Sequence, residues 1–152
     1  MRVSNRSMRT SRRGATTVEF AVVSLPLFMF LFGIFEYSRY LFTLQVMENA
    51  VREGARYAVV HTLDSTVEAD TIARVREHIA GIDMGAFGVP ATVTVYAAAN
   101  DGTNTGGPRD APFGTFIGVR VQGAYRPVTP GLLMLSDTIA LDVRALMGSE
   151  AN

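Results

Sequence analysis

Glu19 is the residue in this 152-residue chain whose placement most needs a chemical explanation. It stands near the start of "VEFAVVSLPLFMFLFGIFEY", a run apolar enough to enter lipid. A charged side chain at the bilayer centre costs about 2.5–3.5 kcal/mol even on lenient scales. A carboxylate here therefore needs a shallow position, the positive end of a helix dipole, or a cationic partner. The residues before it are Arg12, Arg13 and Gly14. A cut after Gly14 would make Ala15 the new N-terminus, with Glu19 as the fifth residue and Phe20 beside it. Such a cut removes a basic leader and leaves the apolar helix attached, the reverse of a secretory signal. Three readings compete for the segment. A secretory signal should have an apolar core of roughly 7–15 residues ending at a small-x-small site, whereas this run is longer and leads into "FEYSRYLF". An uncut signal anchor would leave Glu19 as a solvated acid at a helix start. The third reading is cleavage after Gly14.

The other residue types capable of chemistry lack a pattern. The chain has no cysteine, which excludes a disulfide framework, a thiolate zinc site and a thiol nucleophile. His61 and His78 are the only histidines and match no metal-binding spacing; both read as solvated residues at helix ends. No phosphate-binding loop, dinucleotide fingerprint or nucleophile elbow is present. Asp101, Asn104 and Asp110 could offer oxygens to calcium, but their spacing matches no EF-hand, and a solvated loop is the simpler reading. The sequence thus gives no support to an enzyme and implies no cofactor or metal.

Charge is segregated along the chain. Residues 1–14 carry five arginines and no acid, leaving nine arginines against fourteen acids in the remainder, a net of −5. A basic leader abutting an apolar span points to membrane topology, with the N-terminus retained in the cytoplasm and the body outside. It lacks the interleaved aromatics of a nucleic-acid surface.

These residues need elements to hold them. Residues 15–35 number 21, about 31 Å of helix, enough to span a hydrocarbon core. Pro26 removes a backbone donor and should kink the helix there. Phe28, Phe30, Phe32 and Phe35 surround the span and should face lipid. The helix continues to about Val60, with Tyr37, Tyr40, Leu41, Leu44, Met47, Val51, Ala55 and Ala58 as its buried face and Glu36, Arg39, Glu48, Arg52, Glu53 and Arg56 among the polar remainder. Gly54, Ala55 and Ala58 allow close approach of a backbone, from the protein's own sheet or from a neighbouring subunit. "STVE" at 65–68 reads as a capping box with Ser65 as N-cap, opening a second helix that stops at Gly81. Strands follow at 89–99, with Pro90 at the edge, at 116–128, and at 137–147; a polar loop spans 100–112 and an apolar crossover spans 129–135. The expected fold is α+β: a long N-terminal transmembrane and amphipathic helix, a short second helix and a small three-stranded antiparallel sheet. The chain divides into a basic leader (1–14), a transmembrane segment (15–35), a helical extension (36–60) and an extracytoplasmic α+β domain (61–152).

"RRG", the five-residue offset to Glu19 and the apolar run resemble the type IV pilin and pseudopilin superfamily. Three ordered motifs, "GATTVEFAVVSLPLFMFLFGIFEYSRYL", "ENAVREGARYAV" and "GAYRPVTPGLLML…TIALDVRALM", resemble the TadE-like family of the tight-adherence (Flp, type IVb) pilus system. The resemblance implies a pilin-like fold and a minor pilin or pseudopilin anchored in the bacterial cytoplasmic (inner) membrane. It implies a prepilin peptidase acting between Gly14 and Ala15, and Glu19, followed by Phe20, meeting a freed amine during assembly. Major pilins of this class usually carry tyrosine where this chain has Phe20. The implied partners are the inner membrane, other pilin or pseudopilin subunits, the peptidase and the assembly platform, with no nucleic acid. An uncleaved, singly anchored binding or scaffold module is the alternative.

Overall fold

In a computed structural model the chain is described over residues 12–82 and 91–149, with only the backbone of Arg12 and Arg13. Most of the leader, and the strand edge expected at Pro90, lie outside the described residues.

Helix α1 (Arg12–Val60) is a single element of 49 residues, about 74 Å long. Its two halves live in different surroundings. From Gly14 to Phe35 its side chains are exposed or half-exposed, including Phe20, Phe28, Phe30 and Phe35. From Glu36 onward each turn contributes buried residues: Glu36, Thr43, Met47, Ala50, Val51, Gly54, Ala55, Ala58 and Val59. The predicted apolar stripe is present with one exchange. Tyr37 is 63% exposed, whereas Glu36, expected on the polar side, is 7% exposed. The reason lies in the sheet, as described below.

Helix α2 (Val67–Ile79) packs on α1 through Val67, Thr71 and Val75. Gly54 permits this: a Cβ there would stand 2.4 Å from Val75 Cγ2. The small residues 54–58 of α1 thus face the protein's own interior. The capping box does not form. Thr66, rather than Ser65, precedes the helix; no side chain caps it, and the Thr66 hydroxyl donates to Asp70 at 2.7 Å. Asp70 and Glu68 still complement the dipole of the first turn.

Among the described residues the sheet has four strands, not three. They are β1 (Thr92–Ala98), β2 (Asn104–Gly106), β3 (Phe116–Tyr125) and β4 (Ile139–Gly148), in the antiparallel order β2-β1-β3-β4. The added strand β2 lies inside the expected 100–112 loop, where the chain turns through Gly102 (φ 83°) and pairs back on β1 with a register shift at Ala97–Ala98. Asn104, Thr105 and Gly106, none with an apolar side chain, are too few to produce an alternation signal. The long strands alternate as the sequence suggests. Val93, Val95, Ile117, Val119, Val121, Leu141 and Val143 are buried in the core with α1 and α2. Arg120, cross-strand neighbour of Thr94 and Arg144, lies on the other face. The β3–β4 connection contains one helical turn, α3 (Pro130–Leu133), which touches α1.

Candidate functional site

Helix geometry places Ala15 and Glu19 four residues apart on one face of α1, separated by about 6 Å along the axis. Gly14, Ala15, Glu19 and Phe20 are all exposed. Among the described residues Glu19 has no salt-bridge partner. Pro26 lies within α1, which continues past it without a break in the element.

Among the described residues the densest polar network lies elsewhere, where α1 leaves the apolar run. Glu36 turns its carboxylate inward to the end of β3. Oε1 accepts a short hydrogen bond from the Tyr125 hydroxyl, and Oε2 accepts the Val128 backbone N–H at 2.9 Å. The same hydroxyl lies 3.3 Å from the Glu36 carbonyl oxygen. Arg39, one turn on, brings Nη1 to 3.9 Å from Glu36 Oε1, close enough for charge pairing though too far for a hydrogen bond. Its Nη2 donates to the Arg126 carbonyl at 3.1 Å, and its guanidinium carbon lies 5.1 Å from the Tyr125 ring centroid. Tyr40 meets Tyr125 edge-to-face at 5.5 Å.

Tyr125 is fully buried, and its phenol is pushed up to about 12. Burial is the main cause; donation to Glu36 adds to it, and nearby Arg39 opposes it. A charged residue on a helix normally faces water. Here Tyr125 and Val128, both about 90 positions away in sequence, supply the donors that make burial tolerable. The arrangement is a clamp: it accepts hydrogen bonds and fixes the rotation of α1 against the sheet. The sequence reading missed it. The available signal was an acid at the end of the apolar run with Arg39 and Tyr40 at i+3 and i+4.

Among the described residues two further polar surfaces stand out. On the outer sheet face an open hollow of about 450 Å³ is lined by Thr94, Tyr96, Arg120, Asp142 and Arg144, among others. Arg120 pairs with Asp142 through two nitrogens and holds that carboxyl below the usual range. At the far end of α1, Tyr57 stacks on His61 with ring centroids 4.1 Å apart and receives Arg74 over its face at 4.6 Å. His61 and His78 each turn Nδ1 to the backbone carbonyl four residues earlier, at 2.8 and 2.9 Å. Asp101 and Asn104 accept backbone N–H groups from Thr103 and Gly106, and Asp110 pairs with Arg109.

The family model of the TadE-like proteins matches residues 14–56. This segment is TadE-like. No curated protein and no solved structure matches the chain. The TadE-like segment begins at Gly14 and contains Glu19, Pro26, Glu36, Arg39, Tyr40 and Gly54. Tyr125 and Val128, which complete the clamp, lie beyond it. The segment also holds a stretch long and apolar enough to cross a membrane, none of it buried in the fold. Together they fit a pilus-associated, single-pass membrane protein.

Proposed function

We propose that the chain is a minor pilin or pseudopilin acting in assembly of a tight-adherence pilus of the type IVb class, and that its work is association rather than catalysis. The observation that carries this reading is the reach of the TadE-like segment from Gly14, the glycine after the paired arginines, to the part of α1 packed on the sheet. In this reading the leader stays in the cytoplasm and the α+β domain faces outward from the inner membrane. A prepilin peptidase cuts between Gly14 and Ala15. The new ammonium lies on the same helical face as Glu19, one turn away. An amine on the same chain or a neighbour then neutralises the carboxylate, and a subunit without that pair is disfavoured in an apolar filament core. Other pilin or pseudopilin subunits and the assembly platform are the partners through which the subunit would serve adhesion or secretion.

N-terminal sequencing of the chain isolated from membranes tests the cut. Protein beginning at Ala15 is the expected result; protein beginning only at Met1 refutes processing. Glu19→Gln should leave insertion and cleavage intact and reduce incorporation into filaments, and wild-type incorporation would defeat the pairing step.

A second reading, an uncleaved anchored scaffold, draws on one observation. Gly14 and Ala15 lie within α1 (Arg12–Val60). A helical peptide bond must unwind before a peptidase can reach it. The same sequencing experiment separates the two readings.

A further inference from the structure

The connection between β3 and β4 has no charge from Pro127 to Ser136, with Arg126 before it and Asp137 after it. It folds into the turn α3 and leaves its apolar side chains open: Met134 is 88% exposed, Val128 69% and Leu135 40%. Soluble folds rarely gather such residues on one loop without covering them.

The backbone supports the same point. Met134 sits at φ 54° as the C-cap of α3, its N–H bonded to the Pro130 carbonyl. Glycine usually fills that left-handed position. Here it holds a long apolar side chain that has open space around it.

Position along α1 decides what covers this surface. Leu133 Cδ2 would lie 3.8 Å from a Cβ on Gly33, so the turn packs beside Gly33. Gly33 belongs to the apolar run that ends at Phe35, about 4.5 Å below Glu36 along the axis. Phe32, Ile34 and Phe35 next to it are exposed in the same stretch. The Val128 N–H bond to Glu36 and the Arg126 carbonyl bond to Arg39 hold the base of the connector at this level.

We propose that residues 127–136 form a second membrane contact, an apolar turn seated in the leaflet where α1 leaves the bilayer. The occupant is lipid, because the surface is continuous with the lipid-length face of α1 and lies at its depth. Interfacial elements of this kind sit roughly 5–10 Å into the headgroup and acyl boundary. The contact would fix how deeply α1 sits and hold the domain against the membrane. This inference rests on the membrane-span reading of α1.

The test uses the full chain, which has no cysteine of its own. Single variants Met134→Cys, Val128→Cys, Phe28→Cys and Thr105→Cys are labelled with the fluorophore NBD and reconstituted in phosphatidylethanolamine–phosphatidylglycerol vesicles. Lipids with doxyl groups at carbon 5 or carbon 12 serve as quenchers. Labels at 134 and 128 should show blue-shifted emission that the shallow quencher reduces more than the deep one. The label at Phe28 should be quenched as a span residue, and that at the exposed Thr105 should not. Unquenched labels at 134 and 128, with Phe28 quenched, overturn the proposal alone. Blue-shifted but unquenched emission would mean that protein covers the turn, and overturns it as well. An unquenched label at Phe28 refutes the span itself, and the second contact with it.

Discussion

Removing the Glu36 carboxylate should loosen the domain from α1 by an amount the clamp lets us estimate. In Glu36→Ala the Val128 N–H loses its acceptor and the Tyr125 hydroxyl loses its stronger one. A buried donor left unpaired costs about 1–3 kcal/mol. The hydroxyl retains the Glu36 backbone carbonyl at 3.3 Å, which recovers part of that loss. Arg39 loses its counter-charge, but its side chain is one-third exposed, so that contribution is small. The expected destabilisation is about 2–4 kcal/mol, a large fraction of ordinary domain stability. Tyr125→Phe keeps the carboxylate with Val128 and should cost less, about 1–2 kcal/mol. The two changes remove the same hydrogen bond, so the double variant should fall short of the sum by about 1–2 kcal/mol. Urea unfolding of the full chain in detergent, followed by circular dichroism, measures all three. Limited proteolysis should also find residues 126–138 cut faster in Glu36→Ala. A cost below about 0.5 kcal/mol for Glu36→Ala, or strict additivity, would refute the clamp.

Three other outcomes follow from named contacts. Tyr125 is held protonated up to about 12 against a usual 10, so the folded chain binds a proton that the unfolded chain releases; stability should be full below pH 10 and fall as pH rises from 10 towards 12, by about 2–3 kcal/mol, and alkaline urea titrations of Tyr125→Phe should lack that loss. Gly54→Ala drives a Cβ to 2.4 Å from Val75 Cγ2 and should cost about 1–2 kcal/mol after the gain in helix propensity, with Gly54→Ala/Val75→Ala costing less than the separate effects combined in the same assay. Gly118→Ala places a Cβ 2.4 Å from Tyr96 Cζ, so the ring must leave the outer sheet face; thermal melts should show a loss of about 1–3 kcal/mol, which Tyr96→Ala largely relieves.

What the sequence discloses depends on whether a residue's environment is set nearby. The alternation of Ile117, Val119 and Val121, and of Leu141 and Val143, fixes their inward face because strand pleating is local. The buried stripe of α1 from Met47 to Ala58 follows from helical spacing in the same way. Strand β2 is different: Asn104, Thr105 and Gly106 carry no apolar pattern, and their pairing depends on a turn returning them to Ala97 and Ala98. The Ser65 capping box has suitable letters, but the helix begins two residues later, after Thr66. Glu36 is the most instructive case. Its charge assigns it to water, and only Tyr125 and Val128, brought in by the tertiary fold, reverse that assignment. On the candidate site, the sequence set Gly14 at the end of the leader and Ala15, Glu19 and Phe20 at the start of the span, whereas the clamp showed only its α1 half, Glu36 with Arg39 and Tyr40, because Tyr125 and Val128 are brought to it by the tertiary fold.

The clamp constrains how the chain could move. Glu36 is held by the end of β3 and the start of the connector, and Gly54 lets α2 approach α1 eighteen residues further on. Between these points α1 contributes its buried face to the same core as β3 and β4. Sliding α1 by one residue would rotate that face by about 100° and break the Glu36 contacts together. Helix and domain must therefore travel as one body. Flexibility, if assembly requires it, is left to the stretch below Glu36, where Pro26 interrupts the backbone ladder and the domain covers little of the surface. A subunit drawn from lipid into a filament would then expose two apolar surfaces at once, the lower half of α1 and the connector beside Gly33. If the function proposed above holds, both would need cover from neighbouring subunits in the same step, so burial of the connector would accompany docking, while the proposed pairing of Glu19 would set the register at the opposite end of the span.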